Sequence, residues 1–473
     1  MRRLSPRGRP DRFEVDEVSL FGAKQSGHLL QVVKDLQGQG VQAKLQLIGD
    51  TRQVQVIQAG DLFRQVLELG RDGRVYVAHL NEIRRQRDPE FLEIVRTLNR
   101  EDRVPGENAR EALAVLHGCG KVIELERRDD LVSAAVRSYQ VESGKPSRDF
   151  EKGEAGERQS VLLITATNAD RKELNHAIRE ARIVAGEIEE GKTFRVLTPT
   201  PQGITADRYQ EGEEIHFSGY RGDDGKMQRW GARLNTVGTV TGIDLKRNRV
   251  AVSYSFTVKN RSGVDVLKTV TKKLTAAEMA GKTTVYREEE RNFSPGGRII
   301  ALRNDRELKV QNGYLGVIKH LEETGHAVVD FGAREITLDL NRYRHVDHAY
   351  AVTIHKSQGA MVEQLILFAP VHTREEKTKE LDGISVPLAE PFGRTSYNAL
   401  NVAITRAQHG ACIFTNSLAD LTLEVEHVDV KTSTLNPVLR LQKKIGITGS
   451  WGGSEKRNGR EVSEHGAGSP AAG

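Results

Sequence analysis

The chain has 473 residues, enough for two or three domains that each bury a core. No apolar run is long enough to cross a bilayer, and the basic start Met1–Pro10 has no apolar segment behind it, so we expect no membrane insertion and no signal peptide. Two widely separated cysteines argue against a disulfide framework or a zinc site, and we expect a soluble protein of a reducing cytoplasm. The formal net charge of +5 permits a polyanionic partner without requiring one.

The first fifty residues alternate short apolar runs with an amphipathic stretch. An apolar strand ends at Asp16, Leu29–Leu36 has helical spacing, and Lys44–Asp50 is again a strand that ends in Gly-Asp. Acidic groups at the ends of two strands that flank a helix predict a parallel α/β sheet with a site at its carboxyl edge.

A second α/β region follows a helical stretch at 90–140 and a polar connector at 140–158. Val161–Thr167 has the composition of a buried strand, and a helix is predicted from about Asp170 to Val184. Residues 205–340 change to short β segments with glycine turns, and the α/β pattern returns at 347–420. The β region therefore interrupts the second α/β domain.

The β region also contains two similar sets of strands. The first set comprises Gly212–Phe217, Val237–Gly242 and Arg249–Ser253, and the second comprises Gly297–Leu302, Tyr314–Ile318 and a strand that ends at Asp330. Each set has the size of a small β-barrel unit. From about Ile445 the chain is glycine, serine and charge without periodicity, which predicts a disordered tail.

Two short motifs lie at the predicted carboxyl edge of the first sheet. Asp16 could hold Mg²⁺ directly or through water, and Glu17 could polarise an attacking water. For this dipeptide alone a solvated acidic turn is the simpler interpretation. Asp50 and Gln53 could sense a γ-phosphate, although Gly-Asp is also common in ordinary turns.

Basic and polar residues later in the chain complete the set of candidates. Arg85 could contact phosphate across a domain cleft, or it could belong to a solvated helix start. Arg406 lies among apolar neighbours and needs an anionic partner, which could be a triphosphate or a structural carboxylate.

The stretch from Thr353 to Gly359 follows an apolar strand. Thr353, His355 and Ser357 could donate to the phosphates of a single strand of nucleic acid, while Gln358 and Gly359 would lie close to nucleotide. Three polar donors and a glycine directly after a strand favour this functional interpretation.

A literal phosphate-loop pattern, G-x-x-x-x-G-K-[ST], occurs at Gly186–Thr193. A working loop follows a strand and opens a helix, whereas this one follows a predicted helix and precedes the predicted strand Phe194–Leu197. Its acidic residues would also repel a triphosphate. We therefore expect that it does not bind nucleotide.

Taken together and in this order, the motifs resemble those of the superfamily 1 DNA helicases of the RecD-like branch, most closely the helicase half of plasmid conjugative relaxases. The matching segments are Asp16–Ser19 for motif II, Gly49–Gln53 for motif III, Glu82–Gln86 for motif IV, His355–Gly359 for motif V and Ala403–Ala407 for motif VI. Thr165–Arg171 resembles the start of the second motor domain in these relaxases.

The resemblance implies an α/β fold. It implies an incomplete RecA-like first motor domain in 1–150, a second RecA-like domain in 158–204 and 341–425, an SH3-like β insertion in 205–340 and a disordered tail in 445–473. It further implies ATP hydrolysis with Mg²⁺, coupled to 5′-to-3′ movement along single-stranded DNA.

The resemblance also assigns roles to the candidate residues. Catalytic roles fall to Glu17, Gln53, Arg85 and to Arg406 as the arginine finger; nucleotide binding falls to Asp16 (with Mg²⁺), Asp50, Gln358 and Gly359; and DNA binding falls to Thr167, Asn168, Thr353, His355 and Ser357.

One part of the family pattern lies outside this sequence. The family's Walker A strand, loop and lysine precede motif II, and its transesterase domain lies further upstream, whereas this sequence starts almost at motif II. We therefore expect a helicase part that is active when an upstream polypeptide supplies the Walker A region. The alternatives are a non-catalytic single-stranded DNA-binding fragment and a remnant of a longer relaxase gene.

Overall fold

The structure is a computed structural model. It describes residues 2–4, 12–53, 62–71, 73–80, 82–148, 158–200, 203–218, 220–221, 227–228, 230–232, 236–259, 264–332, 334–371, 378–381, 384–387 and 395–429. The predicted tail at 445–473 and residues 149–157 of the predicted connector lie outside these ranges. In the described part of the chain, no helix combines the length and the apolar character that a membrane span needs.

The first part of the chain alternates strands and helices. In chain order these are β1 (Arg2–Leu4), β2 (Arg12–Val15), α1 (Ala23–Gly38), β3 (Lys44–Leu47), α2 (Leu62–Arg71), α3 (Pro89–Leu98), α4 (Pro105–Gly118), β4 (Val122–Glu124), α5 (Arg128–Gly144), β5 (Val161–Thr165) and α6 (Asn168–Val184).

The middle part is rich in strands. Its elements are β6 (Lys192–Thr200), β7 (Glu214–Phe217), β8 (Tyr220–Arg221), β9 (Met227–Gln228), β10 (Val237–Asp244), β11 (Arg249–Lys259), β12 (Asp265–Thr275), α7 (Ala276–Met279), β13 (Thr283–Phe293), β14 (Arg298–Ala301), β15 (Leu315–Leu321), β16 (His326–Asp330) and β17 (Glu335–Asp339).

The last part returns to mixed structure. Its elements are β18 (Val346–His348), β19 (Ala351–Thr353), β20 (Val362–Phe368), β21 (Thr378–Leu381), β22 (Ile384–Pro387), α8 (Tyr397–Ile404), β23 (Ala407–Thr415) and α9 (Leu418–Glu426). Short 3₁₀ turns occur at Val18–Leu20, Ala206–Arg208 and Ile354–Ser357.

The N-terminal sheet has three strands in the order β1-β2-β3, and β2 runs parallel to β3. Helix α1 connects these two parallel strands and buries Leu29 and Val33, four residues apart on one face. Together with Val15, Val18 and Phe63 they form a small core. The predicted strand, helix and strand are present, so the acidic ends of β2 and β3 lie side by side.

A second, parallel sheet has the strand order β19-β5-β20-β23-β4. All five residues of β5 are buried, because helices cover both faces. Leu162 and Ile164 face one core with α3, α4, α8 and α9, while Val161 and Leu163 face the other core with α5 and α6. Burial of each such side chain stabilises the fold by about 1.5–3 kcal/mol.

The boundary of the first domain differs from the prediction. Strand β4 pairs in parallel with β23, and α3, α4 and α5 pack on the second sheet, so residues 89–144 lie with that sheet and not with β1-β2-β3. The predicted boundary at 150 therefore does not match the packing. The apolar face of an amphipathic helix indicates that the helix packs against another element. Its sequence does not show which of two sheets that element is.

The β-rich part interrupts the second sheet, since β5 precedes it and β19 follows it in the same sheet. It forms a six-stranded sheet in the order β12-β11-β10-β7-β13-β6 and a five-stranded sheet in the order β17-β16-β15-β14-β18. The two predicted strand sets are neighbours within these sheets, as β7-β10-β11 and as β14-β15-β16. The antiparallel structure begins at β6 and ends at β18, outside the predicted limits of 205 and 340.

Candidate functional site

The carboxyl ends of β2 and β3 are joined by backbone hydrogen bonds. The Val18 N–H donates to the Ile48 carbonyl and the Ile48 N–H to the Val15 carbonyl, each at 2.9 Å. Between them Asp16 is exposed and Glu17 is half-buried with a left-handed backbone, φ 52° and ψ 40°. The Glu17 N–H donates to Asp16 Oδ1 at 2.9 Å, which fixes the acidic turn at the edge of the sheet.

The loop after β3 is held by its own aspartate. Asp50 Oδ1 accepts the Arg52 N–H at 2.8 Å, the geometry of an Asx turn. Gln53 follows in the same stretch, and its Oε1 atom is buried without a hydrogen-bond partner in the described residues. An unpaired buried carbonyl oxygen costs free energy, so it marks a position where a donor from a ligand would be accommodated.

Arg406 lies between α8 and β23 and is 3% exposed. Its Nε donates to the Val402 carbonyl at 3.2 Å, and within the described residues no carboxylate lies within 4.0 Å of its guanidinium. Burial and then Arg85 lower the pKa of Arg406 to about 10, while Glu17 and Asp50 act in the opposite direction. Arg406 is therefore a buried cation at neutral pH without an ion-pair partner in this part of the chain.

Arg85 reaches the same place from the segment before α3. Its Nη1 donates to the Thr405 carbonyl at 2.7 Å, and the buried Gln86 donates from Nε2 to the Ala407 carbonyl at 2.8 Å. The Arg87 N–H continues this contact by donating to the Gln408 carbonyl at 2.8 Å. The segment is thus laid along the start of β23, which brings Arg85 beside Arg406.

The electrostatics connect these segments with the acidic turn. The pKa of Glu17 is raised, first by burial and then by Asp16 and Asp50, while Arg406 and Arg85 lower it. Groups from four separate stretches of sequence, predicted as candidates one by one, therefore lie within electrostatic range of each other. The carboxylates at the ends of β2 and β3 and the guanidinium groups beside β23 define the candidate cleft between the N-terminal sheet and the second sheet.

The stretch after β19 lies at the carboxyl edge of the second sheet. Thr353 pairs in register with Thr165 of β5, and His355 is exposed on the following 3₁₀ turn. Ser357 is fully buried and donates from Oγ to the Ile354 carbonyl at 2.8 Å, so in this structure it stabilises the turn and is not available to a DNA phosphate.

Gln358 and Gly359 end the same turn. Gln358 is half-buried, and its Nε2 atom is buried without a hydrogen-bond partner in the described residues. Gly359 has a φ of 82°, which favours glycine. Like the Gln53 oxygen, the Gln358 amide nitrogen is a buried polar atom for which the described chain supplies no partner.

Thr167 and Asn168 form the start of α6 at the same edge. Thr167 is the N-cap: its Oγ1 accepts the Asp170 N–H at 3.0 Å and donates to Asp170 Oδ2 at 2.6 Å. Asn168 is exposed and accepts from Arg171 Nε at 3.3 Å. The Thr167 hydroxyl is thus used within the helix cap, while Asn168 faces the surface.

The literal phosphate-loop pattern has a structural explanation. Gly186 follows α6 with a φ of 69°, and Gly191 precedes β6 with a φ of 77° and lies so close to the Phe293 carbonyl that a Cβ atom would be 2.0 Å from its oxygen. Lys192 pairs through Nζ with Glu323 at 2.7 Å. The pattern runs from a helix into a strand, the reverse of a phosphate loop, as the sequence predicts.

Two buried asparagines at the cleft, Asn398 and Asn401, were not among the sequence candidates. Both lie on α8, whose eight residues are all buried, and both donate to backbone carbonyls of the stretch that follows β3. The sequence signal for these two residues is a pair of amides three residues apart in an otherwise apolar helix, because a buried amide requires hydrogen-bond partners.

Comparisons with known proteins agree with the motifs. A family model described as an AAA domain matches residues 6–127. The conjugal transfer protein TraA of Agrobacterium fabrum is 23% identical over 361 residues, which are 76% of this chain and 22% of that protein. The probable conjugal transfer protein TraA of Sinorhizobium fredii is 34% identical over 94 residues, which are 19% of this chain and 8% of that protein.

Among solved structures, Bacteroides Pif1 bound to single-stranded DNA is similar with a TM-score of 0.39 and 14% identity, over 92% of this chain and 76% of that chain. The chain spans about a fifth of the length of the first TraA relative. The chain is thus similar to conjugal transfer TraA proteins over part of their length, and its residues 6–127 match the AAA domain model.

Proposed function

We propose that this chain is the motor part of a conjugative relaxase, which hydrolyses ATP with Mg²⁺ and moves 5′-to-3′ along single-stranded DNA. The observation that carries the proposal is Arg406, a buried guanidinium that faces Glu17 and Asp50 and has no carboxylate within 4.0 Å among the described residues. A buried arginine is rarely left unpaired, and a triphosphate would supply the missing anion.

The residues at the cleft fit the outer phosphates of a nucleotide. The unpartnered Gln53 Oε1 could accept a hydrogen bond from an attacking water, and the unpartnered Gln358 Nε2 could donate to a phosphate oxygen. Asp16 would hold Mg²⁺, which usually takes one or two carboxylates together with phosphate oxygens and water.

The proposed roles follow from charge and position. Bound ATP with Mg²⁺ supplies the scissile phosphoanhydride bond. Glu17 orients the attacking water and accepts its proton at the carboxylate, to which a raised pKa is suited. Arg406 and Arg85 donate to phosphate oxygens, where a rigid guanidinium fork matches the developing charge.

We further propose that a polypeptide outside this chain supplies the phosphate loop. The literal pattern at Gly186–Thr193 joins a helix to a strand, so its N–H groups do not open a helix toward a phosphate. A motor without this loop loses most of its grip on the triphosphate. On this proposal hydrolysis requires both polypeptides.

Steady-state ATP hydrolysis with single-stranded DNA tests the proposal. We expect no stimulated hydrolysis from the 473-residue chain alone, and turnover once a polypeptide with a Walker A strand, loop and helix is added. Glu17→Gln should abolish that turnover, whereas Glu14→Gln, on β2 just before Glu17, should not. Turnover by the chain alone that is lost in Glu17→Gln would contradict the external loop, and no turnover in the mixture would contradict the motor.

A second candidate is a non-catalytic single-stranded DNA-binding part. Thr353 and the exposed His355, beside Asn168 at one sheet edge, favour it. We expect weak binding whose logarithm falls with the logarithm of salt concentration, with a slope of about −0.7 for each phosphate neutralised. The double change Thr353→Ala, His355→Ala should weaken binding. If affinity is unchanged, this edge is not the path of the strand.

A further inference from the structure

The helix that precedes Arg406 carries two asparagines that are almost completely buried. Asn398 is 1% exposed and Asn401 is 2% exposed, and every other residue of α8 is buried as well. A primary amide in such a place is costly unless each of its polar atoms is paired. The hydrogen-bond partners of these two amides therefore show which segment of the chain holds α8 in place.

Both amides are fixed to the loop that follows β3. Asn398 Nδ2 donates to the Arg52 carbonyl at 3.0 Å and to the Gln53 carbonyl at 3.2 Å, and Asn401 Nδ2 approaches the Arg52 carbonyl at 3.4 Å. Asn398 Oδ1 accepts the Asp429 N–H at 2.9 Å. Because the oxygen has its own donor, the orientation of the Asn398 amide follows from its hydrogen bonds.

The same helix holds Arg406 from the other side. The Thr405 N–H and Oγ1 donate to the Asn401 carbonyl at 3.0 and 2.7 Å, and Arg406 Nε donates to the Val402 carbonyl at 3.2 Å. A shift of α8 would therefore move the carbonyl groups that orient the guanidinium. The loop with Asp50 and Gln53 and the finger Arg406 are attached to one rigid element.

We propose that Asn398 is a positioning residue that couples the loop Gly49–Gln53 to Arg406. A change in the loop, such as a phosphate contact at Asp50 or Gln53, is transmitted through the Asn398 amide to α8 and so to the guanidinium. The catalytic consequence of this coupling rests on the proposed function. The coupling of the two segments through one side chain does not require bound nucleotide.

Asn398→Asp tests the coupling with little change in size. An ionised carboxylate donates nothing and would face the Arg52 and Gln53 carbonyl oxygens, so the tether is broken. A protonated carboxyl regains one O–H donor, and burial beside carbonyl oxygens raises the pKa of a carboxyl. The tether should therefore be broken at pH 8 and partly restored at pH 5.

Hydrogen exchange of the 473-residue chain without nucleotide is the measurement. At pH 8, Asn398→Asp should speed exchange in 49–53 and in 403–406 by about tenfold or more, because it removes both hydrogen bonds that the amide donates to the Arg52 and Gln53 carbonyls. At pH 5, after correction for the intrinsic rate, most of this increase should disappear. A merely structural loss would not be reversed by protonation.

Asn416→Asp is the matched control. Asn416 exchanges hydrogen bonds with the Val371 backbone, with Nδ2 to the carbonyl at 2.9 Å and the N–H to Oδ1 at 2.7 Å, so it loses the same kind of contact away from the cleft. It should leave 49–53 and 403–406 unchanged at either pH. An equal effect in the control, or an effect of Asn398→Asp that stops at the loop or persists at pH 5, would overturn the proposal.

Turnover in the complemented system separates this inference from the proposed function. Asn398→Asp should lower kcat at pH 8 by about tenfold, with little change in KM, because the displaced guanidinium no longer stabilises the transition state. If the wild-type mixture does not hydrolyse ATP, the proposed motor fails while the exchange result still decides the coupling. If kcat is normal although exchange is accelerated, Arg406 is not positioned through Asn398.

Discussion

Glu17 combines a left-handed backbone with a carboxylate in an unfavourable electrostatic position. Its φ of 52° is uncommon for a residue with a Cβ atom and costs about 1–3 kcal/mol. Burial, Asp16 and Asp50 raise its pKa, so the ionised form is less favourable in the folded chain than in the unfolded one. Such strain persists at functional sites when the surrounding structure maintains it.

The raised pKa of Glu17 leads to a prediction about stability. A carboxyl whose folded pKa exceeds its unfolded value favours folding at low pH, and this contribution is lost as the pH rises through the folded pKa. Glu17→Gln should therefore raise the melting temperature at pH 8 and have little effect at pH 4. Thermal unfolding of both proteins at both pH values checks this, with Glu14→Gln as the control. An equal gain at both pH values would show that the charge is not responsible.

For Arg406 we expect a substitution that lowers turnover without lowering stability. Arg406→Met keeps the apolar stem but removes a buried charge that has no carboxylate partner in the described chain, so the free energy of unfolding should be unchanged or higher. Turnover of the complemented motor should fall by about 10³–10⁵, the usual effect of losing an arginine finger.

Urea unfolding and steady-state hydrolysis of the same Arg406→Met preparation measure the stability and the turnover. Arg96→Met, an exposed arginine paired with Glu93 on α3, is the control and should change neither quantity much. A large loss of stability in Arg406→Met would mean that its partner is structural, the alternative that the sequence left open.

The roles of the individual site residues stay predictions, but the structure shows where each side chain lies. The identities of Glu17, Asp50 and Arg406 followed from the charges that a phosphate site needs, and the fold brings them into electrostatic range. Ser357 was misplaced because the partner of a hydroxyl depends on the local turn, here the Ile354 carbonyl. Asn398 was missed because the partners of its amide, the Arg52 and Gln53 carbonyls, lie 346 and 345 residues away in the sequence.

The segment before α3 illustrates what a single element contributes to the cleft. Residues 85–88 have no regular secondary structure, yet they follow the start of β23 through Arg85, Gln86 and the Arg87 N–H. Gln86 is 7% exposed, so its hydrogen bonds are shielded from water. It fixes the segment whose neighbouring residue, Arg85, faces the site.

Gln86→Leu should therefore affect both stability and the site. The substitution keeps the volume but removes the donor of the Ala407 carbonyl, and a buried acceptor left unsatisfied costs about 1–3 kcal/mol. Urea unfolding measures this cost. Turnover should fall as well, because Arg85 is no longer held beside Arg406. Unchanged stability would mean that water or another group replaces the amide.

Elements were predicted well where their sequence signal was long. The run of four apolar residues in β5 and the periodicity of α6 located both elements to within a few residues. Strand β4 has only three residues, too few for a recognisable pattern, and it was included in a helical stretch. Its parallel pairing with β23 is a long-range contact that no local pattern encodes.

The whole molecule depends on how the β-rich part is joined to the second sheet. Asp347 of β18 accepts from Arg171 of α6 at 2.9 Å and from Arg291 of β13 at 3.1 Å, and its side chain is 4% exposed. One carboxylate thus ties both antiparallel sheets to the parallel one. The sequence predicted the interruption and its two strand sets, but not this junction, since its members are 176 and 56 residues apart.

Asp347→Ala should weaken this junction in a pH-dependent manner. Burial opposes ionisation of Asp347, but Arg171 and Arg291 outweigh it and the pKa is lowered. The contribution of this carboxylate is therefore present at neutral pH and is lost as the pH falls through the folded pKa, below about 4. At pH 7, removal of the buried carboxylate should cost up to about 3–5 kcal/mol, because it leaves two half-buried guanidinium groups without their shared partner, although Arg291 keeps its contact with Glu289.

Unfolding in urea at pH 7 and at successively lower pH measures this difference directly. The loss in Asp347→Ala should shrink toward acid pH, where the wild-type carboxylate is itself protonated. Asp339→Ala, on β17 of the same five-stranded sheet, is the control and should cost less, since no ion pair of Asp339 is found in the described chain. A loss in Asp347→Ala that does not change with pH would mean that the junction is held by packing and not by the buried ion pairs.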